Sequence, residues 1–162
     1  MLISWYDFGL EEVMAMEDMQ REDLKEYNCL CREIDGLYHE LAVRAGMSDS
    51  AFFILYAITE MGDGCLQRDI SEHYYISKQT INSSIRNLES KGYVLLINGK
   101  GHDKHIHLTK EGKMLVKEKI FPVIQLENGI FEEMTLKERY EIIRLTRKYI
   151  EIFKNKMNGE QK

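Results

Sequence analysis

From Lys78 to Asn87 the chain carries Lys78, Gln79, Thr80, Asn82, Ser83 and Arg86 and no acid. At about 100° per residue on a helix, Gln79, Ser83 and Arg86 fall on one face, with Thr80 and Asn82 at its flanks and Ile81, Ile85 and Leu88 opposite. These are side chains that read base edges. Arginine forks to guanine O6 and N7, glutamine and asparagine pair with adenine N6 and N7, and hydroxyls reach either, while a carboxylate would repel phosphate. Further along, Lys100, His102, Lys104 and His105 sit on a glycine-containing stretch, where cations reach phosphates or a minor groove. The predicted contact set is therefore Lys78, Gln79, Thr80, Asn82, Ser83, Arg86, Lys100, His102, Lys104 and His105.

Other chemistries fit less well. Cys29, Cys31 and His39, or His102, His105 and His107, supply zinc-type ligands, but residues two apart on a helix point about 200° apart, so Cys29 and Cys31 do not share an ion. No metal or other cofactor is expected. A thiol switch at Cys65 or Cys29 is the redox alternative, against the commoner fate of a buried structural cysteine. No nucleophile with its base, phosphate loop or paired carboxylates is apparent: Gly99 and Gly101 lack a strand-to-helix context, and Ser48 and Ser50 have no partner motif. An enzyme is not expected.

The elements that must hold these residues are set by periodicity. Apolar residues at Tyr27, Leu30, Cys31, Ile34, Leu37, Tyr38, Leu41 and Ala45 predict a long helix over residues 19–45, with Gly46 at its end. Ser48 opens a second helix carrying Phe52, Leu55 and Ile58, which closes at Met61-Gly62-Asp63-Gly64. A short third helix covers residues 66–74. Ser77 caps the fourth, with Ile76 and Ile81 placed for a hydrophobic staple and Gly92 ending it. Tyr93 to Ile97 and His105 to Thr109 are strand-like around a polar turn, which predicts a hairpin. Helix resumes at Lys110, is interrupted or bent near Pro122, and restarts at the capping box Thr135-Leu136-Lys137-Glu138. The last helix has two apolar stripes: Leu136, Tyr140, Ile143, Ile150, Phe153 and Met157, and Ile142, Leu145, Tyr149 and Ile152. A small lobe cannot bury both, which points to a partner chain.

Length and charge agree with one such assembly. The 162 residues suffice for a single domain with appended helices, and one proline in the whole chain suits a helical protein. The longest apolar run, residues 51–58, falls far short of the roughly 20 residues that span a bilayer. The acidic N-terminus, without a basic residue before Arg21, does not look like a signal peptide, and the odd cysteine count suits a reducing compartment, so a cytoplasmic location is expected. Net charge is -5, but it is unevenly spread: residues 1–65 hold 4 basic and 14 acidic side chains, whereas residues 66–110 hold 7 and 4. The middle is locally basic.

Helix, short helix, turn, helix and polar-tipped hairpin is the order of a winged helix-turn-helix, mainly α with a small β hairpin. Within it, Leu66-Gln67-Arg68-Asp69-Ile70-Ser71-Glu72, Ile76-Ser77-Lys78-Gln79-Thr80-Ile81, Leu88-Glu89-Ser90-Lys91-Gly92-Tyr93-Val94 and Leu108-Thr109-Lys110-Glu111-Gly112 occur in order. In pattern and spacing the chain resembles the multiple-antibiotic-resistance-type (MarR) regulators over residues 48–112. The resemblance implies a homodimeric transcriptional regulator, most often a repressor, on a near-palindromic DNA operator, released by a small-molecule effector. It assigns residues 19–47 and 113–162 to long dimerisation helices, 48–112 to the DNA-binding lobe, and leaves 1–18 as an extension. Three features depart from the family. The wing is short and has Asp103-Lys104-His105 where Asp-x-Arg is common; residues 1–65 are more acidic than expected beside DNA; and Tyr75 replaces the usual turn glycine, which predicts a turn without positive φ. The alternative from another class is a winged-helix dimer working as a protein-interaction or redox/effector-sensing module with weak DNA binding.

Overall fold

The computed structural model describes residues 21–99, 101 and 103–159, and these fall into two compact units divided after Phe52. In the first, α1 (Glu22–Arg44) begins with Glu22 and Asp23 near its positive end and closes on Gly46. Gly46 has a φ of 72°, and amides of Gly46 and Met47 return to the carbonyls of Val43 and Ala42, as helix termination by a left-handed residue requires. Ala42 is the one buried residue of α1; Leu30, Ile34 and Leu37 are more than half exposed. α2 (Asp49–Met61) starts at Ser48, whose Oγ accepts the Ala51 amide at 3.4 Å.

The second unit continues α2, which contributes Ile54, Leu55, Ala57 and Ile58 to a closed apolar core. α3 (Gln67–His73) adds Ile70, and α4 (Lys78–Ser90) adds Ile81, Ile85 and Leu88, the three-and-four spacing that turns one face inward. β1 (Val94–Asn98) and β2 (Lys104–Leu108) pair antiparallel, Val94 opposite Leu108 and Asn98 opposite Lys104, and bring Val94 and Ile106 into the same core. The free edge of β2 is covered. Gly64 donates to the Ile106 carbonyl and Ile106 to that of Cys65, while Leu66 and His105 form a bridge, so the strand before α3 extends the hairpin to a third, minimal strand.

The base of the hairpin is joined tightly to the next helix. The Thr109 hydroxyl donates to the Gly92 carbonyl at 2.7 Å and also accepts the Gly112 amide at 2.9 Å, capping α5 (Lys110–Leu115). A Cβ on Gly112 would lie 1.9 Å from the Tyr93 carbonyl oxygen, so only glycine fits there.

After α5 the helix widens into a π turn, Val116–Ile120, before α6 (Phe121–Glu133). The expected bend near Pro122 is thus a change of helical pitch. Proline has no amide to donate and its ring crowds the preceding turn, and a wider turn relieves both without ending the helix. α7 (Leu136–Gly159) starts on the expected capping box: the Thr135 amide donates to Glu138 Oε2 at 2.8 Å, and the Glu138 amide returns to Thr135 Oγ1 at 3.3 Å. None of the 24 residues of α7 is buried. Among the described residues no single helix is long and apolar enough to cross a membrane.

The turn between α3 and α4 corrects one expectation. Tyr75 has a φ of 52°, in the left-handed region that the absence of glycine argued against. α3 ends with the Tyr74 amide on the Ile70 carbonyl, and Ser71 Oγ donates to the Ile76 carbonyl at 2.8 Å, which fixes the chain reversal around Tyr75. The reversal needs the positive φ whatever residue occupies it, and Tyr75 meets the need by pointing its side chain to solvent, 86 % exposed.

Candidate nucleic-acid interface

α4 is aimed by its own cap. Ser77 Oγ accepts the Thr80 amide at 3.1 Å and pairs with the Thr80 hydroxyl at 2.8 Å, which places one orphan donor of the first turn and fixes Thr80 against the helix start. Ser83 Oγ turns back to the Thr80 carbonyl at 2.9 Å. With Ile81, Ile85 and Leu88 buried on the other side, Lys78, Gln79, Asn82, Ser83 and Arg86 are all exposed along one face. The face is polar and acid-free over two and a half turns.

Two residues without an assigned role in the sequence reading organise this face. Gln67, at the start of α3, donates its side-chain amide to Asn82 Oδ1, so Asn82 is held from the neighbouring helix. Arg68 pairs with Asp103 of the wing at 3.1 Å and with Asp69 at 3.4 Å. The only acid of the wing is thereby neutralised from α3, and the hairpin is tied to the helix pair. Both residues lie inside the family-like motif Leu66-Gln67-Arg68-Asp69; pairing across a fold is not written in local spacing. Arg68, Lys78 and Lys104 line a crevice of about 230 Å³ between α3, α4 and the wing, with Asp103 as its acid.

The wing residues divide. Lys104 is exposed at the start of β2. His105 is half-buried: its Nδ1 lies 2.8 Å from the Gly64 carbonyl, and its ring fills the space a Cβ on Gly99 would need. A carbonyl can only accept, so Nδ1 carries the proton and His105 fastens the wing to the strand before α3. Lys100 and His102 lie outside the described residues, as does the extension 1–18. Beneath the hairpin, Asp63 accepts the Leu108 amide at 2.8 Å and sits 3.1 Å from Lys113 Nζ and 3.6 Å from His107 Nδ1. Partial burial raises its pKa, but the Leu108 amide, Lys113 and His107 outweigh that and hold the carboxyl below its ordinary value.

The three cysteines are free thiols. Burial, with Asp69 and Asp63 adding to it, pushes the Cys65 thiol up to about 11, which leaves little thiolate for redox chemistry at neutral pH. Among the described residues no group of three His, Cys, Asp or Glu side chains is placed to hold a metal.

Comparison with known proteins finds the same fold. A model of the MarR family fits residues 45–97, from the end of α1 to β1. A MarR family regulator from Neisseria meningitidis superposes with a TM-score of 0.76 at 17% identity, covering 88% of this chain and 100% of its own. Residues 45–97 are thus similar to the MarR family, and the fold is shared with one of its regulators along most of the chain. MepR from S. aureus, solved in complex with DNA, gives a TM-score of 0.65 at 18% identity, with 83% of this chain and 99% of that one covered. Staphylococcus aureus MarR, in complex with salicylate and kanamycin, gives 0.64 at 17%, covering 83% and 91%. A search of curated protein sequences finds no significant match. The MarR-type pattern read from the sequence is thus borne out in the lobe by the family model, and the fold is borne out along most of the chain by the superpositions.

Proposed function

We propose that the chain is a homodimeric DNA-binding transcriptional regulator of the cytoplasm, a repressor that binds a near-palindromic operator and leaves it when a small effector binds. One observation carries the reading: the exposed, acid-free face of α4, backed by Ile81, Ile85 and Leu88, beside a wing whose acid is paired away. α4 enters the major groove in this reading, with Gln79 and Arg86 on base edges, Asn82 presented by Gln67, and Lys78, Thr80 and Ser83 toward the backbone. Lys104, with Lys100 and His102, reaches the flanking phosphates, while His105 positions the wing. Residues 19–47 and 113–162 supply the dimerisation helices around the lobe 48–112.

The test is selection of a duplex from a random-sequence pool, followed by binding at several salt concentrations. Arg86→Ala should weaken the selected site by about 1 to 3 kcal/mol and change binding to random duplex little. Equal losses on both would make Arg86 a phosphate contact. Absence of any salt-dependent DNA binding by the parent would favour the protein-interaction module instead.

A further inference from the structure

The two edges of the hairpin are unlike. β2 is covered on its outer side by the strand before α3, whereas among the described residues neither strand nor bridge pairs with the outer edge of β1. The ladder register decides which groups lie on that edge. Thr109 donates to the Tyr93 carbonyl and Gly99 to that of Asp103, so Leu95 with His107 and Ile97 with His105 are the pairs that exchange ladder bonds. The amides and carbonyls of Val94, Leu96 and Asn98 then point away from β2, and the backbone bonds made outside the helices and strands engage none of them.

An open edge is ordinarily guarded by a charge, a proline or a bulge. β1 has none of these: Val94-Leu95-Leu96-Ile97-Asn98 is uncharged, lacks proline, and keeps an unbroken register with β2 over all five residues. On the face turned away from the core Leu95 and Ile97 are 53 % and 51 % exposed, so an apolar row runs alongside the unpaired groups. Such an edge gives neither an acidic nor a basic peptide a charge to select. It is complementary to itself. About a two-fold axis at Leu96, two copies of the strand run antiparallel with Leu96 opposite Leu96 and Val94 opposite Asn98, which satisfies the free groups of both. The same axis sets Leu95 opposite Ile97 on one face, an apolar cross-strand pair made twice.

We propose that β1 pairs edge to edge with β1 of a second copy, making one continuous sheet from two hairpins. Five residues a side is well below the roughly 20 to 30 of a stable interface, so the pairing is weak between free chains and joins copies already held close. It is a contact separate from the open stripes of α7. The pairing stands on the edge alone, and its use, linking copies on neighbouring sites of one duplex, rests on the reading of the chain as a DNA-binding regulator.

Amide hydrogen exchange of the full chain without DNA, read residue by residue by NMR from about 50 μM to about 1 mM, tests the edge directly. Leu95 and Ile97 should be protected throughout, while the Leu96 and Asn98 amides should exchange freely when dilute and at least threefold more slowly when concentrated. Leu95→Lys, at an exposed position, should abolish that slowing and leave Tm and the species seen by light scattering at micromolar concentration unchanged. Adding Ile97→Glu, which faces the introduced lysine across the two-fold, should restore it. On a duplex carrying two adjacent selected sites, the parent should fill the second at least threefold more tightly than the first, and Leu95→Lys should fill them independently. Leu96 and Asn98 protected at every dilution would mean that the chain covers its own edge, and free exchange at every concentration would mean that no copy does; either overturns the pairing, as does slowing that survives Leu95→Lys. A double variant no better than Leu95→Lys overturns the register. Independent filling by a parent that pairs overturns the use on DNA. A parent that pairs but binds no selected duplex overturns the regulator reading and leaves the edge standing.

Discussion

α4 and α7 are both amphipathic in sequence, yet they end in opposite circumstances. α4 spends its apolar stripe within its own unit: Ile81, Ile85 and Leu88 are 2 % exposed or less. α7 is nearly twice as long, and its two stripes, among them Ile143, Ile150, Phe153 and Tyr149, remain open, with none of its residues buried. A lone helix gains most of its stability from burying such a face, so α4 is complete within one chain and α7 is complete only against another surface. On the proposed reading the two halves of the task are folded differently: recognition is prebuilt within one chain, and the spacing between recognition helices is left to assembly.

The largest effect should come from breaking assembly. Replacing Ile143 and Ile150 together by Asp puts charge on one face of α7 seven residues apart. Light scattering should then show a monomer at micromolar concentration, and affinity for a two-half-site duplex should fall on the order of a hundredfold, as the second lobe's contacts cease to be tethered. A parent protein that is already monomeric would dissolve the contrast between the helices.

Next in size is the core of the lobe. Ile81→Ala removes a fully buried side chain and should cost about 2 to 5 kcal/mol in denaturant unfolding, without changing the oligomeric state measured under native conditions. Loss of the dimer in step with loss of the lobe would show that the two regions are not independent.

The smallest effect has the opposite sign. Tyr75→Gly relieves a left-handed residue of its Cβ and should stabilise the fold by up to about 1 kcal/mol, read as a rise in Tm. A fall would mean that the exposed ring makes stabilising contacts which outweigh its backbone strain.

Legibility from sequence divides along the same line between local and assembled features. The capping box at Thr135, the cap at Ser77, the terminating Gly46 and Gly92, and the inward face of α4 are local patterns, and each stands where its spacing places it. At Tyr75 residue type is a poor guide to φ, because the reversal between α3 and α4 decides it. Gln67, Arg68 and the inward turn of His105 are not legible, because each depends on a partner 15 to 41 positions away.

The clasp at Thr109 and Gly112 gives the lobe the mechanics of a lever. Thr109 holds the carbonyl of Gly92, where α4 ends, while its hydroxyl starts α5, and the contact of Gly112 with Tyr93 leaves no slack between them. A rotation of α5 is therefore delivered to α4 at its far end. α4 has 13 residues and so an arm of roughly 20 Å, over which a tilt of about 10° sweeps the Lys78 end through about 3 Å, the length of a hydrogen bond. In the proposed reading, contacts to base edges at that end have no tolerance for such a displacement, so a small rotation delivered through the clasp is large enough to turn recognition off.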